Sequence, residues 1–151
     1  MKSYKIKALL LLLIFSISIS QAQTIEIIVN GQNPVNEISF DDLERIYLGK
    51  MTLWENTDED LTILPSILRE NSILTGQLMF ATIKKSRSKL NAYWRKKLFS
   101  GAGIPPKEFR TSESVVNYVA SNPGAIGIIT SEAKNKMELN VKVIKRIRRR
   151  K

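Results

Sequence analysis

The stretch from Ser112 to Thr130, SESVVNYVASNPGAIGIIT, leaves this chain few folds to choose from, because it runs an amphipathic helix into a buried strand through one tight turn. Val115, Val116 and Val119 recur at helical spacing, and Asn122-Pro123-Gly124 breaks the helix. Ala125, Ile126, Ile128 and Ile129 are too apolar for a strand with a solvated face. The unit is therefore α/β. Gly124 supplies the backbone freedom that the helix-to-strand turn needs, and Gly127 within the strand predicts close approach by a neighbour or a ligand.

The rest of the chain repeats this alternation, which predicts a mixed sheet flanked by helices. Thr24 to Val29 reads as a strand and Gly31 to Asn36 as a polar loop. Ser39, with Asp42 three residues on, starts a helix whose inner face carries Leu43, Ile46 and Tyr47 and which Gly49 ends. Leu61 to Leu64 reads as a short buried strand. Ser72 to Ile83 and Leu90 to Phe99 read as helices, the second stopped by Ser100-Gly101-Ala102-Gly103, and Pro105-Pro106 belongs to neither. From Glu138 to Ile144 apolar and polar residues alternate, as expected of a half-exposed edge strand. Trp54, Tyr93 and Trp94 read as core anchors, with ligand stacking as the alternative.

Both termini differ from the body between them. Lys2, Lys5 and Lys7 precede an apolar run from Ala8 to Ile19 and the small residues of Ser20-Gln21-Ala22, the pattern of a signal peptide cut after Ala22. The expected organisation is a leader over 1–22, one domain over 23–144 and a basic tail over 145–151. Localisation is then periplasmic or secreted. Removing 22 of 151 residues leaves 129, enough for one core. Of the net +10, three charges lie in the leader and seven between Val141 and Lys151, so the body is neutral. Its charges still segregate, mainly acidic from Glu37 to Asp60 and mainly basic from Lys84 to Arg110. The tail suits an anionic membrane surface or an acidic partner, and export argues against nucleic acid.

Catalysis is not expected. Without histidine or cysteine the chain lacks the commonest general base, the thiol nucleophile, most zinc ligands and any disulfide. Asp41-Asp42 and Asp58-Glu59-Asp60 read as caps and solubilising charge, and no Gly-rich nucleotide loop is present. No catalytic residue, metal or cofactor is therefore assigned. What remains is chemistry at helix starts, where unpaired N–H groups and positive partial charge favour an anion. Arg69-Glu70-Asn71-Ser72 stands at such a start, after a predicted strand. In the alternative, Ser72 only caps its helix and Arg69 pairs with a surface acid. Arg110-Thr111-Ser112 is a second arginine before a helix, read as a structural cap.

In order along the chain stand SFDDLERIYLGKMTLWEN (Ser39 to Asn56), LTILPSILRENS (Leu61 to Ser72), YWRKKLFSGAGIPP (Tyr93 to Pro106) and the Asn-Pro-Gly-Ala-Ile-Gly turn. This order resembles the second lobe of phosphate ABC transporter substrate-binding proteins, and more closely their short single-lobe relatives. The resemblance implies an α/β, single lobe of a type 2 periplasmic-binding-protein-like fold, with a solute-binding function and phosphate or a similar small oxyanion as ligand. It implies a loop in which an arginine, an acidic residue and a Ser-Gly-Thr helix start hold the anion. Arg69 and Ser72 match that pattern, Asn71 stands near the acidic position, and Thr75 offers a hydroxyl one turn in. Ile73-Leu74 departs from the Gly-Thr that wraps the oxyanion. Implied partners are an ABC transporter permease or another envelope component, and a homodimer that completes the half-cleft. The alternative is a ligand-free interaction module docking to an envelope or membrane partner through its basic helix and tail.

Overall fold

Thr24–Asn30 is strand β1, and its strict two-residue period places Ile25, Ile27 and Val29 on one side and Glu26, Ile28 and Asn30 on the other. Six of its seven residues are buried, so both faces of the sheet must be covered. The structure, a computed structural model, describes residues 24–55, 60–69, 76, 79, 83–131 and 140–148. Along them follow helix α1 (Phe40–Tyr47), β2 (Leu64–Leu68), α2 (Arg87–Phe99), β3 (Lys107–Phe109), α3 (Ser112–Ser121), β4 (Ala125–Thr130) and β5 (Val141–Arg148). The strands form one five-stranded sheet in the order β3-β2-β4-β1-β5. β1 is antiparallel to β4 and β5, whereas β2 is parallel to β3 and β4. This is the mixed α/β sheet expected.

Each face has its own core. Ile25, Ile27 and Val29 pack with Leu43, Ile46 and Tyr47 of α1 and with Leu90 and Trp94 of α2. Ile28 and Ile129 pack with Val115, Val116 and Val119 of α3. Full burial of such a side chain stabilises by about 1.5–3 kcal/mol. α1 begins as its sequence predicts: the Ser39 hydroxyl accepts from the Asp42 N–H (3.0 Å) and donates to Asp42 Oδ2 (2.7 Å). α3 lies so close to β4 that a Cβ on Gly127 would sit 2.5 Å from Val115 Cγ1. The neighbour anticipated at Gly127 is therefore a helix.

Four elements differ from the sequence reading. The strand expected over Leu61 to Leu64 instead runs Leu64–Leu68, with only an isolated bridge pairing Leu53 and Thr62. Pro65 is tolerated because β2 is not flanked on both sides there. Leu64 and Pro65 pair with β4, and β3 joins only from Ser66. Since Leu64 N–H points to Gly124 O (3.0 Å), position 65 faces the side where no acceptor waits. β3 itself, three residues directly after Pro105-Pro106, was not anticipated. α2 starts three residues before Leu90, capped by Ser86.

The fourth difference is at the basic end, where the strand expected to stop at Ile144 continues to Arg148. Ile27 pairs with Lys145 and Ile28 with Val143, so Ile144 is the extra residue of a β-bulge. The bulge changes which side chains face which core: Val141 and Val143 join the α3 side, Ile144 and Ile147 the other. The cations meanwhile have acceptors. Lys142 Nζ donates to Asn36 Oδ1 (2.8 Å), Lys145 Nζ to the Ile38 carbonyl, and Arg146 Nε to Glu26 Oε1 (2.9 Å), directly across the ladder. Residues 145–148 thus belong to the sheet rather than to a solvated tail, while 149–151, the leader expected over 1–22 and most of the helix expected over Ser72 to Ile83 lie outside the described residues. Met79 and Ile83 of that stretch are fully buried.

Tyr47 ties α1 to the sheet: its hydroxyl donates to Ser66 O (3.0 Å), and Ser66 Oγ donates to Ile126 O (2.9 Å). Burial pushes the Tyr47 phenol far above its usual range. Below the ordinary tyrosine value of about 10 both folded and unfolded chains hold the proton, so the group adds no pH dependence there. Above it the unfolded chain ionises first, and stability falls as pH rises. Tyr47→Phe should cost about 1–3 kcal/mol at neutral pH, because the buried Ser66 carbonyl loses a donor. Urea denaturation of the variant should also show a shallower alkaline decline than the parent chain.

Candidate anion-binding site

Parallel strands bring their carboxyl ends to the same edge of a sheet, which is where α/β proteins gather ligand groups. β2 and β3 do this here, in the register Ser66 to Lys107, Ile67 to Glu108 and Leu68 to Phe109. Arg69 follows β2 directly, and its N–H extends the ladder by donating to Phe109 O (2.7 Å). That bond fixes the direction in which the side chain leaves the sheet.

Arg69 Nε donates to Glu108 Oε2 at 3.2 Å, and Arg87 Nη2 donates to Glu108 Oε1 at 2.8 Å. One carboxylate therefore holds two guanidinium groups side by side, one on each oxygen. Arg87 is pinned further, Nη1 donating to the Leu68 carbonyl (2.8 Å), and its side chain is 20% exposed. The Arg69 side chain is 62% exposed, and its two terminal nitrogens have no acceptor among the described residues. Two cations against one anion leave the cluster positive. Arg87 also opens α2, whose first turn carries no acid to offset the helix dipole.

Of the four residues selected from sequence, Arg69 stands in this cluster, paired with an acid as the alternative reading had it. Asn71, Ser72 and Thr75 lie outside the described residues. Arg87 and Glu108 were missed. The signals for them were Ser86 as a cap, which would have started α2 at Arg87, and Glu108 as the lone acid between Lys84 and Arg110. At the second arginine, Thr111 Oγ1 accepts from the Ser114 N–H (3.2 Å) and caps α3, as read. The aromatic residues are committed inside the protein: Trp54 Nε1 donates to Gly124 O, Trp94 Nε1 to Tyr47 O and Tyr93 OH to Leu48 O. Among the described residues no three acidic side chains converge as a metal site, and no helix is long and apolar enough to cross a membrane.

No protein-family model and no curated protein matches this chain. Solved structures do. An ABC-type phosphate transport receptor from Vibrio cholerae superposes with a TM-score of 0.58 at 19% identity, over 82% of this chain and 46% of the receptor. A protein from Clostridium perfringens, described as a phosphate ABC transporter substrate-binding protein with bound phosphate, gives 0.59 at 20% identity, over 82% of this chain and 44% of its own. PstS from Borrelia burgdorferi gives 0.58 at 17%, covering 81% and 46% respectively. These neighbours are receptors and binding proteins, not enzymes. The chain spans less than half the length of each structure. Its fold is that of one part of the phosphate ABC transporter substrate-binding proteins, a periplasmic-binding-protein-like α/β unit built on a single five-stranded sheet.

Proposed function

We propose that this chain is an exported solute-binding protein that holds phosphate, or a similar small oxyanion, at the carboxyl ends of β2 and β3. The observation that carries the reading is the pairing of Arg69 and Arg87 on Glu108. Guanidinium groups set side by side match the oxygens of a tetrahedral anion, and Arg69 keeps its terminal donors for that purpose. Asn71, Ser72 and Thr75 follow in the chain and would add amide, hydroxyl and helix-start donors. The phosphate bound by the Clostridium perfringens neighbour supports phosphate as the first anion to test. An ABC transporter permease is the corresponding membrane partner.

Arg69→Ala should weaken phosphate binding by about 1.5–3 kcal/mol, the scale of hydrogen bonds to a charged group. Its effect on stability should stay within about 1 kcal/mol, since an exposed ion pair contributes little. Arg87→Ala should cost more stability, because it strips a donor from the Leu68 carbonyl as well. Calorimetry with phosphate and sulfate, alongside urea denaturation, separates the two roles. Absence of heat from the parent chain at millimolar phosphate would favour the interaction-module reading.

Export is tested separately. Mass spectrometry of the protein recovered from periplasm or medium should find Gln23 as the first residue, and an intact leader in a membrane fraction would contradict it.

A further inference from the structure

Three neighbouring concavities form one continuous face. The first, about 280 Å³, is bordered by Glu37, Asp42 and Glu55 with Met51 and Trp54. Met51 also borders the second, a groove of about 730 Å³ walled mainly by apolar groups, among them Trp94, Ile104, Pro105 and Pro106. Trp94 and the two prolines in turn border the third, about 260 Å³, where Arg95 stands beside the Arg87–Glu108 ion pair and carries the excess positive charge. The face therefore runs from acidic, through apolar, to basic. Large apolar side chains are left in water at its middle and basic parts: Ile104 is 85% exposed and Leu98 is 58% exposed. Contiguous apolar surface rimmed by charge is the pattern of an interaction site.

We propose that the occupant of this face is a second copy of the chain, docked about a two-fold axis. The charge order supplies the argument. A two-fold axis through the apolar groove lays each acidic end on the other copy's basic end, so one surface complements itself. The rest of the chain is balanced to match, since the body between leader and basic end carries no net charge and separates its acids from its cations. Neither Glu55 nor Arg95 makes an ion pair with a described residue, so both remain available to a partner. The inference does not depend on oxyanion binding, and neither Glu55 nor Arg95 belongs to the candidate anion site.

Sedimentation equilibrium of the purified chain over a wide concentration range tests it. The parent chain should show a reversible monomer–dimer equilibrium. Glu55→Lys and Arg95→Glu should each raise the dimer dissociation constant by about tenfold, and the double variant should return to within about threefold of the parent, because each reversal restores the other's match. Ile104→Asp should abolish the dimer, with the thermal melt confirming that this exposed position leaves the fold intact. A parent chain that stays monomeric throughout, a dimer indifferent to all three changes, or charge reversals that do not rescue one another would each overturn the proposal.

Discussion

The carbonyl of Gly124 sets the geometry on which the rest of the sheet depends. It accepts from Leu64 N–H, which starts the parallel pairing of β2 with β4, and from the indole N–H of Trp54, each at 3.0 Å. No side chain fits at this residue, since a Cβ would lie 2.0 Å from Thr62 O. The turn after α3 and the entry to β2 are therefore held in backbone contact. Once β2 is set against β4, β3 can add only on its far side, and Arg69 must leave the sheet beside Glu108. A turn at one end of the sheet thus decides where a cation stands at the other.

The α3–β4 unit was legible in sequence because its signals are local: valines at helical spacing, a breaker and an unbroken apolar run. α1 was legible for the same reason, through Ser39 and Asp42. β2 was misplaced because Pro65 argues against a strand unless one knows that β3 begins one residue later, which is tertiary information. The basic end misled in a similar way. A run of cations reads as solvated unless Glu26, Asn36 and the Ile38 carbonyl are seen to lie opposite it, and those acceptors are over a hundred residues away. The candidate site was half legible. Arg69 is marked by its place before a helix start predicted from sequence, but its company of Arg87 and Glu108 arises only from the tertiary fold.

The same segregation of charge underlies both proposals. Around Glu108 it gathers cations at the carboxyl ends of two strands, where an anion gains hydrogen bonds and Coulomb attraction together. Across the apolar groove it sets acidic and basic groups at opposite ends of the surface proposed to receive a second copy. The capture of Lys142, Lys145 and Arg146 by β1 and the loop before α1 bears on the remaining reading, a basic end that docks to membranes. Cations already bonded within the sheet have less to offer a lipid surface.

The central claim is that an oxyanion binds between Arg69 and Arg87 at the carboxyl ends of β2 and β3. Titration of the isotope-labelled chain with inorganic phosphate, followed through arginine side-chain Nε–H and backbone amide NMR signals, tests it most directly. The account predicts saturable shifts at the Arg69 and Arg87 Nε–H groups and at the Arg69 amide beside Glu108, with one dissociation constant. Shifts confined to surface lysines, or a spectrum unchanged by phosphate, would contradict it.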